Sequence, residues 1–558
     1  MNRFKPQAVI SVWLSLAALC LCCVTAAWAA SITIKVNAGE RKTFQGFGYC
    51  LDEPTAADAN QWPEEERLKL ARILWQEADF RFIRCWAHEQ GGSLQSWTDE
   101  VGNNTKPYVD EIRGLQPNLV VLLAPTDRSH RSAQDHANFY LQMIGKLRDE
   151  YDFKIDVTGV CNEPNVPGRF SPAETATLVN LFRKGLDDLG MQDVGIIAPE
   201  VSNVDGGGYS YGNTLKSQVW DKMIGFGTHS YGIAMTKDMM DIVGDKDHWE
   251  TESSGDFAHG PAHILSDINL GITHWFAFYG YRNGTNCGDH CLINWNDGDP
   301  VFEPQAHTML EFAKLLRVGT VMRFCESSMT NDEHYQYMEL NRSKGPLPPI
   351  CAAAGVSSND AWVIGLSNQS GCAISGQYAW AAYPTTTYDV TVHVEELEGE
   401  GDVEFNIRRM KMETGEIVDE GKLTMSNGRL TVPNFVPRTV ASLYTKQPVA
   451  AGSVSIERER SRRDKVPSLR ILQKGAHIRI DFGVDRQSKL RVTLHDLQGK
   501  TVRTLADSRF GAGKHRCDLD AREVPPGTYV VAVDLEASGR HQRSFLGLCG
   551  LETSRGIR

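Results

Sequence analysis

The sequence offers two glutamates as its strongest chemical groups. Glu163 closes Gly159-Val160-Cys161-Asn162-Glu163-Pro164, and Glu252 closes Trp249-Glu250-Thr251-Glu252. Each follows a short apolar run of the kind that forms a buried strand. Two carboxyl groups facing one another across a sugar can break a glycosidic bond: one protonates the leaving oxygen while the other attacks the anomeric carbon. Pro164 cannot continue a ladder and ends its strand there. Asn162 is placed to bond a sugar 2-hydroxyl, an interaction that strengthens in the transition state. Glu250 and Glu252 are two apart and are expected on one face of their strand. On that expectation Glu250 lies a layer deeper, where a charge is costly unless paired, and Glu252 reaches the mouth. His229 and Tyr231, in His229-Ser230-Tyr231, are expected to bond the carboxylate of the neighbouring strand. Such donors keep Glu252 ionised while Glu163 stays protonated, the split that nucleophile and acid require. Arg84 supplies a positive charge, and Trp86 and Trp275 offer stacking faces for sugars. Singly, each residue has an ordinary reading as a loop corner, an ion pair or packing. Their joint occurrence, each at a strand end and in order, carries the chemical one.

Eight elements must hold these groups. Short apolar runs recur at Phe44–Tyr49, Phe80–Trp86, Leu119–Ala124, Ile155–Cys161, Val194–Pro199, Ile224–His229, His248–Glu252 and Ile272–Tyr279, with helical patterns between most of them. Pro63-Glu64-Glu65-Glu66 opens one helix. Ser171-Pro172-Ala173-Glu174 is a capping box whose helix runs to a stop at Gly190. Strands alternating with helices over residues 44–320 predict an α/β fold, a (β/α)8 barrel, whose chemistry sits at the C-terminal strand ends. An open doubly wound sheet needs a Gly-rich phosphate turn after its first strand, which Gln45-Gly46-Phe47-Gly48-Tyr49-Cys50 does not complete.

The flanks read as β structure. Ser31–Val36 is an isolated strand, and residues 321–446 return to strand patterns, so 31–43 and 321–446 are expected to form one β-sandwich beside the barrel. Residues 447–467 are small, polar and then densely charged, a linker. Residues 468–549 alternate like the strands of a small β-sandwich. The whole chain of 558 residues has a formal charge of −12, and the part after 446 is net basic. That balance does not mark a nucleic-acid binder. Residues 1–30 have a basic start, an apolar middle and a small-residue cleavage pattern at Ala27-Trp28-Ala29, the marks of an export signal. The expectation is a secreted, extracellular protein, a monomer with no cofactor and no metal. Cys287 and Cys291 are close enough to brace one loop. With His290 they offer a zinc set, but no second ligand pair follows at the spacing such sites use.

Together, Thr43-Phe44-Gln45-Gly46-Phe47-Gly48, Asn162-Glu163-Pro164, His229-Ser230-Tyr231, Trp249-Glu250-Thr251-Glu252 and Pro304-Gln305-Ala306-His307 leading to Arg317-Val318-Gly319 resemble glycoside hydrolase family 30 of clan A. The resemblance spans residues 31–446. It implies a (β/α)8 barrel with a β-sandwich built from both flanks, and retention of configuration through a glycosyl-enzyme intermediate. Glu163 is then acid/base and Glu252 nucleophile, with carboxyl groups about 5–5.5 Å apart. Three features depart from the family pattern: Ala124-Pro125-Thr126-Asp127-Arg128-Ser129-His130, Glu250, where the family tends to be apolar, and the loop Gly280–Asp299 with Arg282 and the Cys287/Cys291 pair. Within the family the first expectation is an endo-β-1,4-xylanase, with Arg282 contacting an acidic side group. Endo-β-1,6-glucanase, β-1,6-galactanase and exo-β-glycosidase stay open, as does a carbohydrate-binding protein without turnover. The stretch from Leu494 to Leu505, then Gly513-Lys514-His515 and Val524-Pro525-Pro526-Gly527-Thr528-Tyr529, resembles the immunoglobulin-like C-terminal modules of bacterial secreted proteins. It implies a contact with the cell surface or the secretion machinery.

Overall fold

The computed structural model describes residues 30–551 except 52–63, 88–92, 127–131, 231–234, 254–259, 284–290, 372–383, 451–468 and shorter gaps. The leader and the linker from 451 onward therefore lie outside the described residues, as does Tyr231.

The chain begins with β1 (Ala30–Val36) and β2 (Thr43–Phe44), then enters a closed barrel. The staves are β3 (Gly46–Leu51), β4 (Phe82–Ala87), β5 (Val120–Pro125), β6 (Val157–Thr158), β7 (Gly195–Val201), β8 (Gly225–His229), β9 (Asp247–Ser253) and β10 (His274–Ala277), all parallel. Each of the eight apolar runs supplies one stave. Side chains alternate across the wall. Phe82, Val120, Leu122, Val157, Ile197, Trp249 and Phe276 fill the lower barrel. Ile83, Cys85, Val121, Leu123 and Ile196 face the helices in the outer core. The helix over Pro172–Asp188 carries the full capping box from Ser171 and Glu174.

After β10 come β11 (Tyr279–Asn283), β12 (Cys291–Asn296) and β13 (Asp299–Phe302), a three-stranded sheet of its own. Cys291 is disulfide-bonded, so its thiolate is not available to zinc; Cys287 and His290 lie outside the described residues. Arg282 sits on β11.

The next strands are β14 (Thr320–Arg323), β15 (Cys325–Ser327), β16 (Ile350–Val356), β17 (Trp362–Asn368), β18 (Tyr388–Val394), β19 (Val403–Lys411), β20 (Ile417–Met425), β21 (Arg429–Phe435) and β22 (Thr439–Tyr444). They form two sheets, ordered β15-β1-β18-β21 and β2-β14-β16-β17-β22-β19-β20. The first strand thus pairs in parallel with β18, Ala30 opposite Tyr388, and buries Ile32, Ile34 and Val36. The seven-stranded sheet rests on helices Gly260–Asn269 and Pro304–Leu315. A Cβ on Gly365 would meet Leu265 at 2.9 Å and Phe312 at 3.3 Å. Beyond the linker, β23 (Leu469–Lys474), β24 (His477–Val484), β25 (Ser488–His495), β26 (Thr501–Phe510), β27 (Gly513–Asp520), β28 (Gly527–Ala537) and β29 (Arg540–Leu551) form two further antiparallel sheets, β23-β24-β27 and β26-β25-β28-β29.

Candidate active site

The upper barrel holds charge where the lower barrel holds apolar side chains. Arg84 projects inward from β4, fully buried. Its Nη1 donates to Glu252 Oε2 at 3.0 Å, its Nε to Glu200 Oε1 at 3.1 Å and its Nη2 to Asn162 Oδ1 at 2.7 Å. One face of the guanidinium stacks on Trp86, 4.1 Å from the ring centre, a cation–π contact. Burial works against this charge, but Glu200, Cys50 and Glu252 outweigh it and hold the guanidinium pKa above its ordinary value.

Glu252 sits at the end of β9, 5% exposed. The ladder slips on both sides of it, between Thr228 and His229 on β8 and between Trp275 and Ala277 on β10. Such a bulge re-aims a side chain. Glu252 turns inward to Arg84. Glu250 turns outward, where its oxygens accept from Ser230 Oγ at 2.6 Å and Thr228 Oγ1 at 3.3 Å. The two glutamates therefore do not share a face, contrary to simple alternation. Burial first, then Asp267, raises the Glu250 pKa well above the carboxylate range.

Glu163 lies just beyond the short stave β6, with φ at +47°. A left-handed non-glycine residue costs roughly 1–3 kcal/mol and persists where neighbours fix it. Here its N–H donates to the Glu200 carbonyl at 2.9 Å and its carbonyl accepts from Val166 N at 3.1 Å. Arg169 Nη1 bonds the carbonyls of Asn162 at 2.6 Å and Glu163 at 3.2 Å. Asn165 ties the turn to Ser202 through two bonds of 2.8 and 2.9 Å.

His229 Nδ1 stands between the acids, 3.4 Å from Glu163 Oε1 and 3.7 Å from Glu252 Oε2. One donor atom from each of Glu163, His229 and Glu252 falls within a common span of 4.8 Å. By donor type these three could ligate a cation; the Arg84 guanidinium on Glu252 already supplies positive charge to the cluster. The Glu163 side chain is 20% exposed and the Glu252 side chain 6%. The pair thus opens on the mouth from the Glu163 side.

For Glu163, which the sequence expects to stay protonated, the surroundings pull both ways. Burial pushes its pKa up, but the His229 bond, with Arg169 and Arg84 behind it, outweighs burial and leaves it below the ordinary glutamate value. His229 approaches Glu163 more closely than Glu252.

The structure thus gathers Glu163, Glu252, Asn162, Arg84, Trp86 and His229 at one place. Trp275 does not join them. It points outward, 3% exposed, packs edge-on to Phe47 and donates to Asp267 Oδ2 at 3.0 Å. It braces the helix over Gly260–Asn269 rather than offering a sugar platform, because its position on β10 has outward parity. Three residues at the site escaped sequence reasoning. Glu200 and Arg169 bind the machinery directly, and Cys50 lies 3.8 Å from Arg84 Nη1. Glu200 carried a signal: an acid at the very end of the apolar fifth run, one place beyond Pro199.

No family model and no curated protein matches this sequence; the likeness lies in the fold. The catalytic domain of the family 30 xylanase C from Talaromyces cellulolyticus superposes with a TM-score of 0.56 at 13% identity, over 74% of this chain and 99% of that one. The endo-β-1,6-glucanase BT3312 does so with a TM-score of 0.52 at 14% identity, over 74% and 93%. SrfJ from Salmonella typhimurium gives 0.52 at 13%, over 74% and 92%. The chain has the fold of glycoside hydrolase family 30 structures, a TIM barrel with a β-sandwich.

Proposed function

We propose that this protein is a secreted retaining β-glycoside hydrolase that cleaves a polysaccharide by double displacement, with β-1,4-xylan as first candidate and endo action. One observation carries the reading: two glutamates, one just past the fourth stave and one on the seventh, their reacting oxygens within 4.8 Å across a shared histidine, one anchored by a buried arginine. A carboxyl pair this close leaves no room for an intervening water and suits retention. Glu252 attacks the anomeric carbon and forms an ester as the glycosidic bond breaks. Glu163 gives its proton to the leaving oxygen, then takes one from the water that cleaves the ester. Asn162 keeps its amide nitrogen for the sugar while its oxygen is held by Arg84. The xylanase among the similar folds supports xylan, and the glucanase keeps β-1,6-glucan as the alternative. The leader supports export, and the basic C-terminal sheets support a contact with a surface or the secretion machinery; truncation after 446 tests the latter through retention on cells.

The deciding experiment measures aryl β-glycosides, then xylans, β-1,6-glucan and β-1,6-galactan, with the product anomer followed by NMR. Retained configuration, loss of turnover in Glu252→Gln and a slow but azide-accelerated Glu163→Gln are expected. An unaltered rate in Glu252→Gln, or an inverted product, overturns the mechanism. Oligosaccharide binding without turnover in the wild type supports a binding protein instead.

A further inference from the structure

Among the described residues, Glu200 is the one acid of the barrel interior that the proposed reaction does not use. It is the second-last residue of β7, its side chain fully buried, and a buried acid needs a reason. Its Oε1 bonds Arg84 Nε at 3.1 Å. Its Oε2 accepts no hydrogen bond among the described residues. Its φ is +58°, so the backbone too is in a costly conformation. The surroundings are cut to admit it. A Cβ on Gly159 would stand 2.1 Å from Glu200 Oε2, and one on Gly227 would stand 2.9 Å from its Cγ. The Glu200 carbonyl, meanwhile, accepts the N–H of Glu163 at 2.9 Å.

From these contacts, and resting on the hydrolase reading, the geometry points to Glu200 as a positioning residue that sets both reacting carboxylates: Glu252 through Arg84, and Glu163 through its own main chain. Arg84 faces Glu200, Glu252, Asn162 and Cys50. With two carboxylates on it, Arg84 orients Glu252 without giving it a whole positive charge. Without the Glu200 charge, the full guanidinium would fall on Glu252 and make it a poorer nucleophile, and it would also pull harder on the Glu163 proton. A packing role would leave those properties alone.

The test compares wild type, Glu200→Gln and Glu200→Asp on an aryl β-glycoside across pH, with folding followed by circular dichroism. Glu200→Gln keeps the size and an acceptor for Arg84 but removes the charge. It is expected to lose about 10²-fold in kcat, to change KM little, and to move the alkaline limb of kcat/KM to lower pH. Glu200→Asp keeps the charge, so it recovers part of the rate and the wild-type limb. A folded Glu200→Gln with wild-type kcat and limb overturns the inference while leaving the hydrolase reading intact. If Glu200→Gln does not fold, Glu200→Asp decides: a lowered kcat with the limb unmoved supports the role, and wild-type kinetics overturn it. Unfolding of both overturns it as well, since Glu200 would then hold the barrel and not the reacting groups. An inactive wild type is a different failure, that of the hydrolase reading.

Discussion

Glu250 and Glu252 stand two residues apart on one strand and live in opposite worlds. Glu252 looks into the barrel and meets a guanidinium. Glu250 looks out toward the helix layer and meets two hydroxyls, with Asp267 as a second acid nearby. Both are buried. The difference is the cation: Arg84 offsets the cost of a buried carboxylate on one face, while on the other the acid avoids the cost by keeping its proton. A glutamate inside a protein becomes a nucleophile or a neutral hydrogen-bonding group according to what stands opposite it, not how deep it lies.

That contrast can be broken most sharply at Glu252. Glu252→Gln is expected to lower kcat by about four orders of magnitude or more, whereas Glu250→Gln, which replaces a neutral group by a neutral group, keeps the rate within a few-fold; stopped assays on an aryl glycoside read both. Next, Arg84→Met leaves Glu200 and Glu252 buried without a cation and is expected to cost about 3–5 kcal/mol of stability, measured by urea unfolding. A third test titrates the outer face. Asp267 is pushed up to about 7 by burial, against bonds from Met235 N and Trp275. Its protonated form is thus favoured by folding. Its contribution is complete below the unfolded value near 4 and is lost as pH rises toward 7, at up to about 1.4 kcal/mol per pH unit. Asp267→Asn removes that decline in thermal unfolding. Smallest, His229→Phe removes the bond that lowers the Glu163 pKa. Burial then prevails, and the alkaline limb of kcat/KM moves to higher pH, since Glu163 must carry its proton to act as acid.

The barrel was legible because each stave is a buried apolar run, and both glutamates were legible because each closes such a run. What failed was parity. Alternation put Glu250 and Glu252 on one face and Trp275 at the mouth; the slipped register at Thr228/His229 reverses the first, and the outward parity of Trp275 removes the second. A bulge inserts no unusual residue here, so nothing in Trp249-Glu250-Thr251-Glu252 announces it. Two strands also carry weak signals. Ile350–Val356 is rich in alanine, a poor strand former, yet it is central and buried. Ile417–Met425 is an edge strand exposed along nearly its whole length, so it lacks alternation. Glu200 was hidden for another reason: its partner Arg84 is 116 residues away.

The parallel pairing of Ala30 with Tyr388 has a consequence for how the molecule is made. The first strand leaves the ribosome with both its ladder partners, β15 and β18, still untranslated, and at ~5–20 residues per second the wait is on the order of tens of seconds. Every barrel stave is synthesised in that interval. Nascent chains cut after β13 and before β15 should therefore have a closed cylinder and an unclaimed leading strand, one ready to join any passing sheet edge.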